Sequence, residues 1–388
     1  MKTPPKRVVG LFAGIGGIER GLSVWGHETL LLCEIDPAAR AVLAARFGPL
    51  PIPEDVARLK SLPPDTDLLT AGFPCQDLSQ AGRTIGIEGS RSGLVGEVFR
   101  LLRRKRVPTV LIENVPFMLQ LARGRALDVI VSNLEELGYR WAYRVVNSRA
   151  FGVPQRRERV YLLAMKEDDP RDVLFVDDAI EPKDPRTFRE VACGFYWTEG
   201  IRGLGWAVDS VPTLKGGSSI GIPSPPAILF PDGTIAKPDI RDAERMQGFP
   251  DDWTAPAETV VKRGQRWKLV GNAVTVRSAE WIGEQLRRPG TYDATGDVPL
   301  HRNGKWPNAA YNVGDGRFAA SLSTFPRLTQ AEPLAEFLHY PTELLSVKAT
   351  AGFLERTRRS SLRFPDGFIA AVEQHLERML DEPRRGII

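Results

Sequence analysis

The sequence predicts an α/β fold: a doubly wound, mostly parallel sheet with a small irregular insert and a C-terminal extension. Three observations predict it. First, Val8-Val9-Gly10-Leu11-Phe12 passes at once into Ala13-Gly14-Ile15-Gly16-Gly17 and then into a helical pattern that stops at Gly26. Strand, glycine turn and helix open a nucleotide-binding βαβ unit, because glycines let a backbone approach a ligand closely. Second, residues 67–71 and 109–114 are almost continuously apolar or β-branched, as strands covered on both faces are. Third, each run ends in a breaker, Gly72 with Pro74 or Pro116, and helical spacing follows.

A chain of 388 residues exceeds one ordinary domain. Charged residues make up 26% and the net charge is +4, which fits a soluble protein and is compatible with a polyanionic partner. Cys33, Cys75 and Cys193 are far apart and form no CxxC, so a disulfide framework is not expected. The four histidines have no paired ligand spacing, so no metal centre is expected. The first seven residues are basic and contain prolines, and glycines break the apolar run after them, which argues against a signal peptide. No apolar stretch has the length of a membrane span, and a cytoplasmic location is expected.

In the first glycine turn Glu19 stands where a dinucleotide fingerprint has its third glycine. A nucleoside cofactor without pyrophosphate fits as well or better. The second strand runs from His27 to Ile35 and carries Glu34 at its end, where an acid binds ribose hydroxyls. Asp36-Pro37 starts the next helix, and Asp55 is placed to accept from an adenine amine. A solvated surface carboxylate is the structural alternative for either acid alone.

The third strand ends in Gly72-Phe73-Pro74-Cys75-Gln76. The turn delivers a thiol to the sheet edge where ligands sit in open α/β folds. A buried, inert cysteine is the alternative. Residues 80–96 are rich in Gly, Ser and Arg without apolar period and read as a mobile lid, with Arg83 and Arg91 reaching phosphates. The fourth strand ends in Glu113, at the same edge as Cys75. Helix 126–137, strand 140–147, a turn at 151–154 and a strand entered through Gln155-Arg156-Arg157-Glu158-Arg159 follow.

From about 168 to 239 proline is frequent and periodicity weak. Residues 229–234 read as a hairpin. The loop Lys215-Gly216-Gly217, with Arg202, suits contacts in a nucleic-acid groove. Helical spacing resumes at Ile240 and again after Gly271-Asn272-Ala273-Val274. Gly290 onward reads as a separate tail with an amphipathic helix from Phe368, N-capped by Asp366. The expected division is 1–185, first part of a catalytic and cofactor domain; 186–240, a small loop-and-strand insert; 241–289, the completing part; and 290–388, an extension of open role.

A thiol and a carboxylate beside a nucleoside pocket define a chemistry. Pyrimidine C5 is too weak a nucleophile to take a methyl group directly, but thiolate addition at C6 makes it an enamine. A carboxylic acid at N3 stabilises the developing charge, and a methyl sulfonium supplies the electrophile. In a duplex the base must first leave the stack.

Here the sequence resembles the bacterial cytosine-C5 DNA methyltransferases. The ordered motifs are Phe12 to Gly17, Gly72 to Gln76, Glu113 to Val115, Gln155 to Arg159, Arg245 to Pro250 and Gly271 to Val274, and the likeness covers roughly 7–288. It implies the Rossmann-like fold of S-adenosylmethionine-dependent methyltransferases, S-adenosylhomocysteine as product and no metal. It implies Phe12, Gly14, Ile15, Gly17, Glu34, Ile35, Asp55, Val56, Pro74, Leu94, Asn272 and Ala273 around the cofactor. Cys75 would be the nucleophile, Glu113 would contact N3 and the amine, and Arg159, supported by Arg157, would hold the flipped base. Gln80 and Arg83 would contact DNA on loop closure, residues 186–240 would be the target recognition region, and Thr213-Leu214 matches its commonest dipeptide. Double-stranded DNA is the implied substrate and a cognate restriction endonuclease or defence partner the implied company, on the nucleoid. An RNA (tRNA) cytosine-5 methyltransferase and a non-catalytic DNA-binding relative are the alternatives on this scaffold. A nicotinamide dehydrogenase explains only the glycine turn.

Overall fold

The computed structural model describes residues 2–74, 93–217, 223–300 and 305–385. In chain order the first strands are β1 Arg7–Leu11, β2 Glu28–Cys33, β3 Leu68–Ala71, β4 Thr109–Asn114, β5 Arg140–Asn147, β6 Gln155–Arg156 and β7 Glu158–Met165. The short strands β8 Cys193–Phe195, β9 Ala207–Val208, β10 Val211–Pro212, β11 Ala227–Leu229 and β12 Ile235–Lys237 come next. Last are β13 Val298–Pro299, β14 Ala309–Asn312, β15 Arg317–Ala319 and β16 Glu343–Leu344. The main helices are α1 Gly17–Ser23, α2 Pro37–Phe47, α3 Leu94–Arg104, α4 Arg125–Glu136, α5 Ile240–Met246, α6 Arg266–Asn272, α7 Val276–Arg287, α8 Val347–Arg358 and α9 Phe368–Arg385.

The chain divides into two compact units. The first contains Met1–Phe151, Glu158–Glu181 and Ala273–Thr329. Its sheet has the order β13-β15-β14-β5-β7-β4-β3-β1-β2. Only β4-β3-β1-β2 pair in parallel; every pairing from β7 outward is antiparallel. The sheet is therefore mixed, and less parallel than the sequence predicts. Successive residues of β1 face opposite layers. Val9 packs with Leu69, Val110, Leu162 and the apolar stripes of α3 and α4. Val8 packs with Leu68, Leu111, Leu163 and with Ile18, Leu22, Trp281 and Ile282 of α1 and α7. Helices on both faces make the sheet doubly wound, as expected.

Close helix packing fixes one end of this sheet. A Cβ at Gly21 of α1 would lie 2.5 Å from Ala279 of α7, so glycine is what lets the two helices meet. Asp36 caps α2 by accepting from the N–H groups of Ala38 and Ala39, with Pro37 at the first helical position. Arg103 and Arg104 end α3 and oppose its dipole.

The second unit contains Gly152–Arg157, Pro182–Asn272 and Gln330–Ile388. Its five-stranded antiparallel sheet has the order β16-β12-β11-β8-β9. The hairpin expected at 229–234 is β11 paired with β12. The units cut the chain differently from the expected boundaries. Residues 290–388 form no body of their own: β13–β15 extend the sheet of the first unit, and 330–388 join the second. Nor do 241–289 stay together. Ala243 and Met246 of α5 and Val270 of α6 share a core with Val211, Leu214, Leu334 and Phe337, while α7 packs in the first unit.

Candidate active site

In the first unit the ends of β1 to β4 build one edge. The chain leaves β1 through Phe12, whose φ of 56° is the left-handed region, then Gly14 at φ 55° and Gly16 at φ 81°. A non-glycine residue held there costs about 1–3 kcal/mol and is a mark of functional turns. Ala13 N–H donates to the Cys33 carbonyl at 3.1 Å, tying this turn to β2. Glu34 lies just past β2. Its Oε2 accepts from the Gly14 N–H at 2.7 Å and its Oε1 from the Asp36 N–H at 2.8 Å. The carboxylate is buried, yet the next side chain, Ile35, is 73% exposed.

This donor set fits a nucleoside. A carboxylate fixed by two backbone N–H groups presents its remaining lone pairs to hydroxyls, and Ile35 offers an apolar surface to a base. The Gly14 N–H already serves a carboxylate, whose charge repels a phosphate, so a dinucleotide is disfavoured. Asp55 accepts from the Ala57 N–H at 2.9 Å and lies 3.7 Å from Arg58. Val56, Ile15 and Gly17 are buried. Leu94 opens α3, half-buried, after Gly93 at φ 98°.

The carboxylate of the fourth strand is partnered. Glu113 Oε1 lies 3.0 Å from Arg159 Nε, with the two side chains 10% and 13% exposed. β7 runs antiparallel to β4, so the chain arriving from Gln155 brings Arg159 to the end where β4 finishes. Arg159 Nη1 also donates to the Glu158 carbonyl at 2.7 Å, which sets the fork's orientation. A Cβ at Gly72 would lie 3.4 Å from Glu113 Oε2, so the glycine keeps that carboxylate accessible from the β3 side. Asn114, buried, donates from Nδ2 to the Phe73 carbonyl at 2.9 Å and accepts at Oδ1 from the Val115 N–H. Phe73 meets Phe12 edge-on at 6.2 Å. Thus the turn that carries Pro74 toward Cys75 is tied to both β4 and the glycine turn. Sequence reasoning missed Asn114 and Gly72 as positioning residues; their place inside two motifs was the signal.

Cys75, Gln80, Arg83 and Arg91 lie outside the described residues. Cys33 and Cys193 are buried, and burial pushes each thiol up to about 11. Neither supplies thiolate near neutral pH.

Arg157 does not share the place of Arg159. It belongs to the second unit, is 1% exposed, and donates from Nη1 to the carbonyls of Leu214 at 3.1 Å and Gly271 at 3.2 Å. Expected as a catalytic support, it fastens Leu214 to the start of the Gly271 motif through these two bonds. Thr213 Oγ1 donates to the Arg156 carbonyl, and the Leu214 N–H donates to Gln155 Oε1, both at 2.9 Å. Gln155 Nε2 donates to Gln247 Oε1 at 3.1 Å, and Gln247 Nε2 to the Val270 carbonyl at 2.8 Å. Three motifs separated in sequence meet in this buried network. Gly216 and Gly271 cross closely: a Cβ on Gly271 would lie 2.1 Å from the Lys215 carbonyl carbon, and one on Gly216 2.1 Å from Asn272 Oδ1. Asn272 is exposed at the end of α6, and Ala273, buried, begins the last segment of the first unit. Lys215 pairs with Glu199 and lies 3.6 Å over the Tyr196 ring, so its charge is engaged within the unit. Gly217, at φ 144°, is the last described residue before 218.

Residues 6–192 and 237–288 match the family model of the C-5 cytosine-specific DNA methylases. The chain belongs to that family. It is 48% identical to the Type II methyltransferase M2.BsuMI of Bacillus subtilis over 97% of this chain and 100% of that one. It is 31% identical to the Type II methyltransferase M.NgoBI of Neisseria gonorrhoeae over 70% of this chain and 89% of that one. In fold it is similar to the Dnmt2 methyltransferase of S. pombe, with a TM-score of 0.52 at 16% identity, covering 72% of this chain and 98% of that one. As a C-5 cytosine-specific DNA methylase the protein is a DNA (cytosine-5-)-methyltransferase, with DNA as substrate and S-adenosylmethionine as methyl donor. The Glu34 carboxylate bonded to the Gly14 N–H, with exposed Ile35 beside it, fits the nucleoside of that donor. Among the described residues no helix is long and apolar enough to cross a membrane, and no cluster of side chains could hold a metal ion.

Proposed function

We propose that the protein methylates C5 of an extruded cytosine in a specific duplex site through a transient bond from Cys75 to C6. The observation that carries this reading is the Glu113–Arg159 pair, at 3.0 Å beside the turn that leads to Cys75. The thiolate of Cys75 adds to C6, and the electron pair of the C5–C6 bond moves toward C5. Glu113 hydrogen-bonds N3 and the exocyclic amine, which draws charge into the ring. Arg159 holds the carboxylate in place and reaches the base carbonyl with its remaining donors. S-adenosylmethionine supplies an electrophilic methyl group to C5 and leaves as S-adenosylhomocysteine. A base then takes the C5 proton, the C6–sulfur bond breaks, and Cys75 is regenerated.

The cofactor is held by Glu34 on the ribose, Ile35 and Asp55 at the adenine, and the Phe12 to Gly17 turn, with Val56, Pro74, Leu94 and Ala273 completing the pocket. Gln80, Arg83 and Arg91 contact DNA. The second unit reads the target around Thr213, Leu214 and the glycines 216 and 217. The names of the relatives place them in Type II systems, and this enzyme works beside a cognate endonuclease on the bacterial nucleoid. Methyl incorporation into duplex DNA and into tRNA, compared for the wild type and Cys75→Ser, tests this. The duplex should be labelled by the wild type alone. Labelling of tRNA alone, or undiminished turnover by Cys75→Ser, would refute it.

A further inference from the structure

Two stretches fall outside the matched family segments, 193–236 and 289–388. In the second unit the end of one folds onto the other. β16 pairs with β12 at Ala236↔Leu344 and Lys237↔Glu343. Leu345, Phe353, Leu354, Phe368 and Val372 share one core with Cys193, Phe195, Leu229 and Ile235. Buried His375 accepts at Nδ1 from the Ile235 N–H at 3.3 Å and approaches the Leu345 carbonyl through Nε2 at 3.0 Å, bridging both pieces.

The feature these contacts support is a tight loop. Tyr196 N–H donates to the Leu204 carbonyl at 2.9 Å, and Gly200 N–H to the Gly203 carbonyl at 3.0 Å. Ile201 and Arg202 form its tip, both exposed. The underside rests on the end of α8. Arg356 donates from Nε to the Glu199 carbonyl at 2.9 Å and from Nη2 to the Trp197 carbonyl at 2.8 Å. Ser360 Oγ donates to the Ile201 carbonyl at 3.2 Å. A Cβ at Gly200 would lie 3.1 Å from the Phe353 ring. On the other flank Tyr196 donates its hydroxyl to the Thr213 carbonyl at 2.8 Å, and Glu199 pairs with Lys215.

An apolar side chain and a planar cation thus stand out from a loop whose backbone is fastened on both sides. In a major groove, guanidinium pairs with guanine O6 and N7, and an apolar chain meets the thymine methyl. We propose that residues 330–388 are the second half of the target-reading unit. α8 and Ser360 hold the loop in register, and Ile201 and Arg202 read neighbouring base pairs of the recognition site. This rests on the assignment of the second unit to target recognition.

The test uses the full chain and a duplex pool with randomised sites, methylated positions being read by sequencing. Cofactor affinity and thermal midpoint are measured alongside. Arg202→Ala should lose about tenfold in preference at one base position, with cofactor affinity and midpoint unchanged. Arg356→Ala should relax the same position, and Arg356→Lys, which keeps a cationic donor group but not the planar fork, should fall between. An unchanged site profile in Arg202→Ala overturns the proposal, and so does equal weakening on every sequence. Wild-type protein that methylates no duplex would overturn the functional assignment instead.

Discussion

Asn114→Ala probes how the nucleophile's turn is held. In the protein the Asn114 amide donates to the buried Phe73 carbonyl at 2.9 Å, two residues before Cys75. Truncation leaves that carbonyl without its donor, at about 1–3 kcal/mol. For a body of this size that lowers the thermal midpoint by about 2–4 °C per kcal/mol. The larger effect falls on rate, because a displacement of about 1 Å at a reacting group costs on the order of 100-fold. Single-turnover methyl incorporation should therefore drop between about 10- and 100-fold. Cofactor affinity by calorimetry should stay within about twofold, since Glu34 and Gly14 bond to each other and not through Asn114. Asn114→Asp should be worse, because it sets an oxygen against the Phe73 oxygen. A lowered midpoint with wild-type rate in Asn114→Ala would refute the positioning argument.

Glu34→Gln keeps the shape but sets an amide NH2 against one of the two N–H groups it now accepts from; cofactor binding should weaken by about 10- to 100-fold in calorimetry. Gly271→Ala drives a Cβ to 2.1 Å from Lys215 backbone, whereas Gly216→Ala meets the Asn272 side chain, which can turn away. Thermal melts should show Gly271→Ala losing about 1–3 kcal/mol and Gly216→Ala less; equal losses would contradict the backbone crossing. Buried Glu19 has one oxygen on Thr70 and one without a partner, and burial raises its pKa. Folding then holds a proton the unfolded chain gives up, so its stability contribution is full below the usual carboxylate range and is lost as pH rises toward the folded value. Glu19→Gln should gain in midpoint relative to wild type between pH 5 and 7; a constant difference would refute this.

The parallel half of the sheet was legible because its strands are buried on both faces and read as unbroken apolar runs. The antiparallel half was less so: β13 is a two-residue strand and leaves no period to read. Beyond its β11–β12 hairpin, the sheet of the second unit was hard to read for a different reason. β12 pairs with β16 across more than a hundred residues, and only tertiary packing reveals that partner. In the site, charged groups were legible by type and place: Glu34, Glu113 and Arg159 lie on one edge, as their positions at strand ends imply. Arg157 and Arg159 look equivalent in sequence, two residues apart, yet Arg157 belongs to the second unit and donates to carbonyls of that same unit. Roles carried by backbone groups, as at Phe73, Leu214 and Gly271, leave no side-chain signal at all.

The central claim is the covalent step. A duplex carrying 5-fluorocytosine at the target should stop the reaction after methyl transfer, since the fluorine cannot leave as the proton does. Mass spectrometry should then find the methylated base attached to the peptide bearing Cys75, with Cys33 and Cys193 unmodified, consistent with thiols pushed up to about 11 by burial. Turnover without any adduct, or an adduct on either buried thiol, would contradict the account.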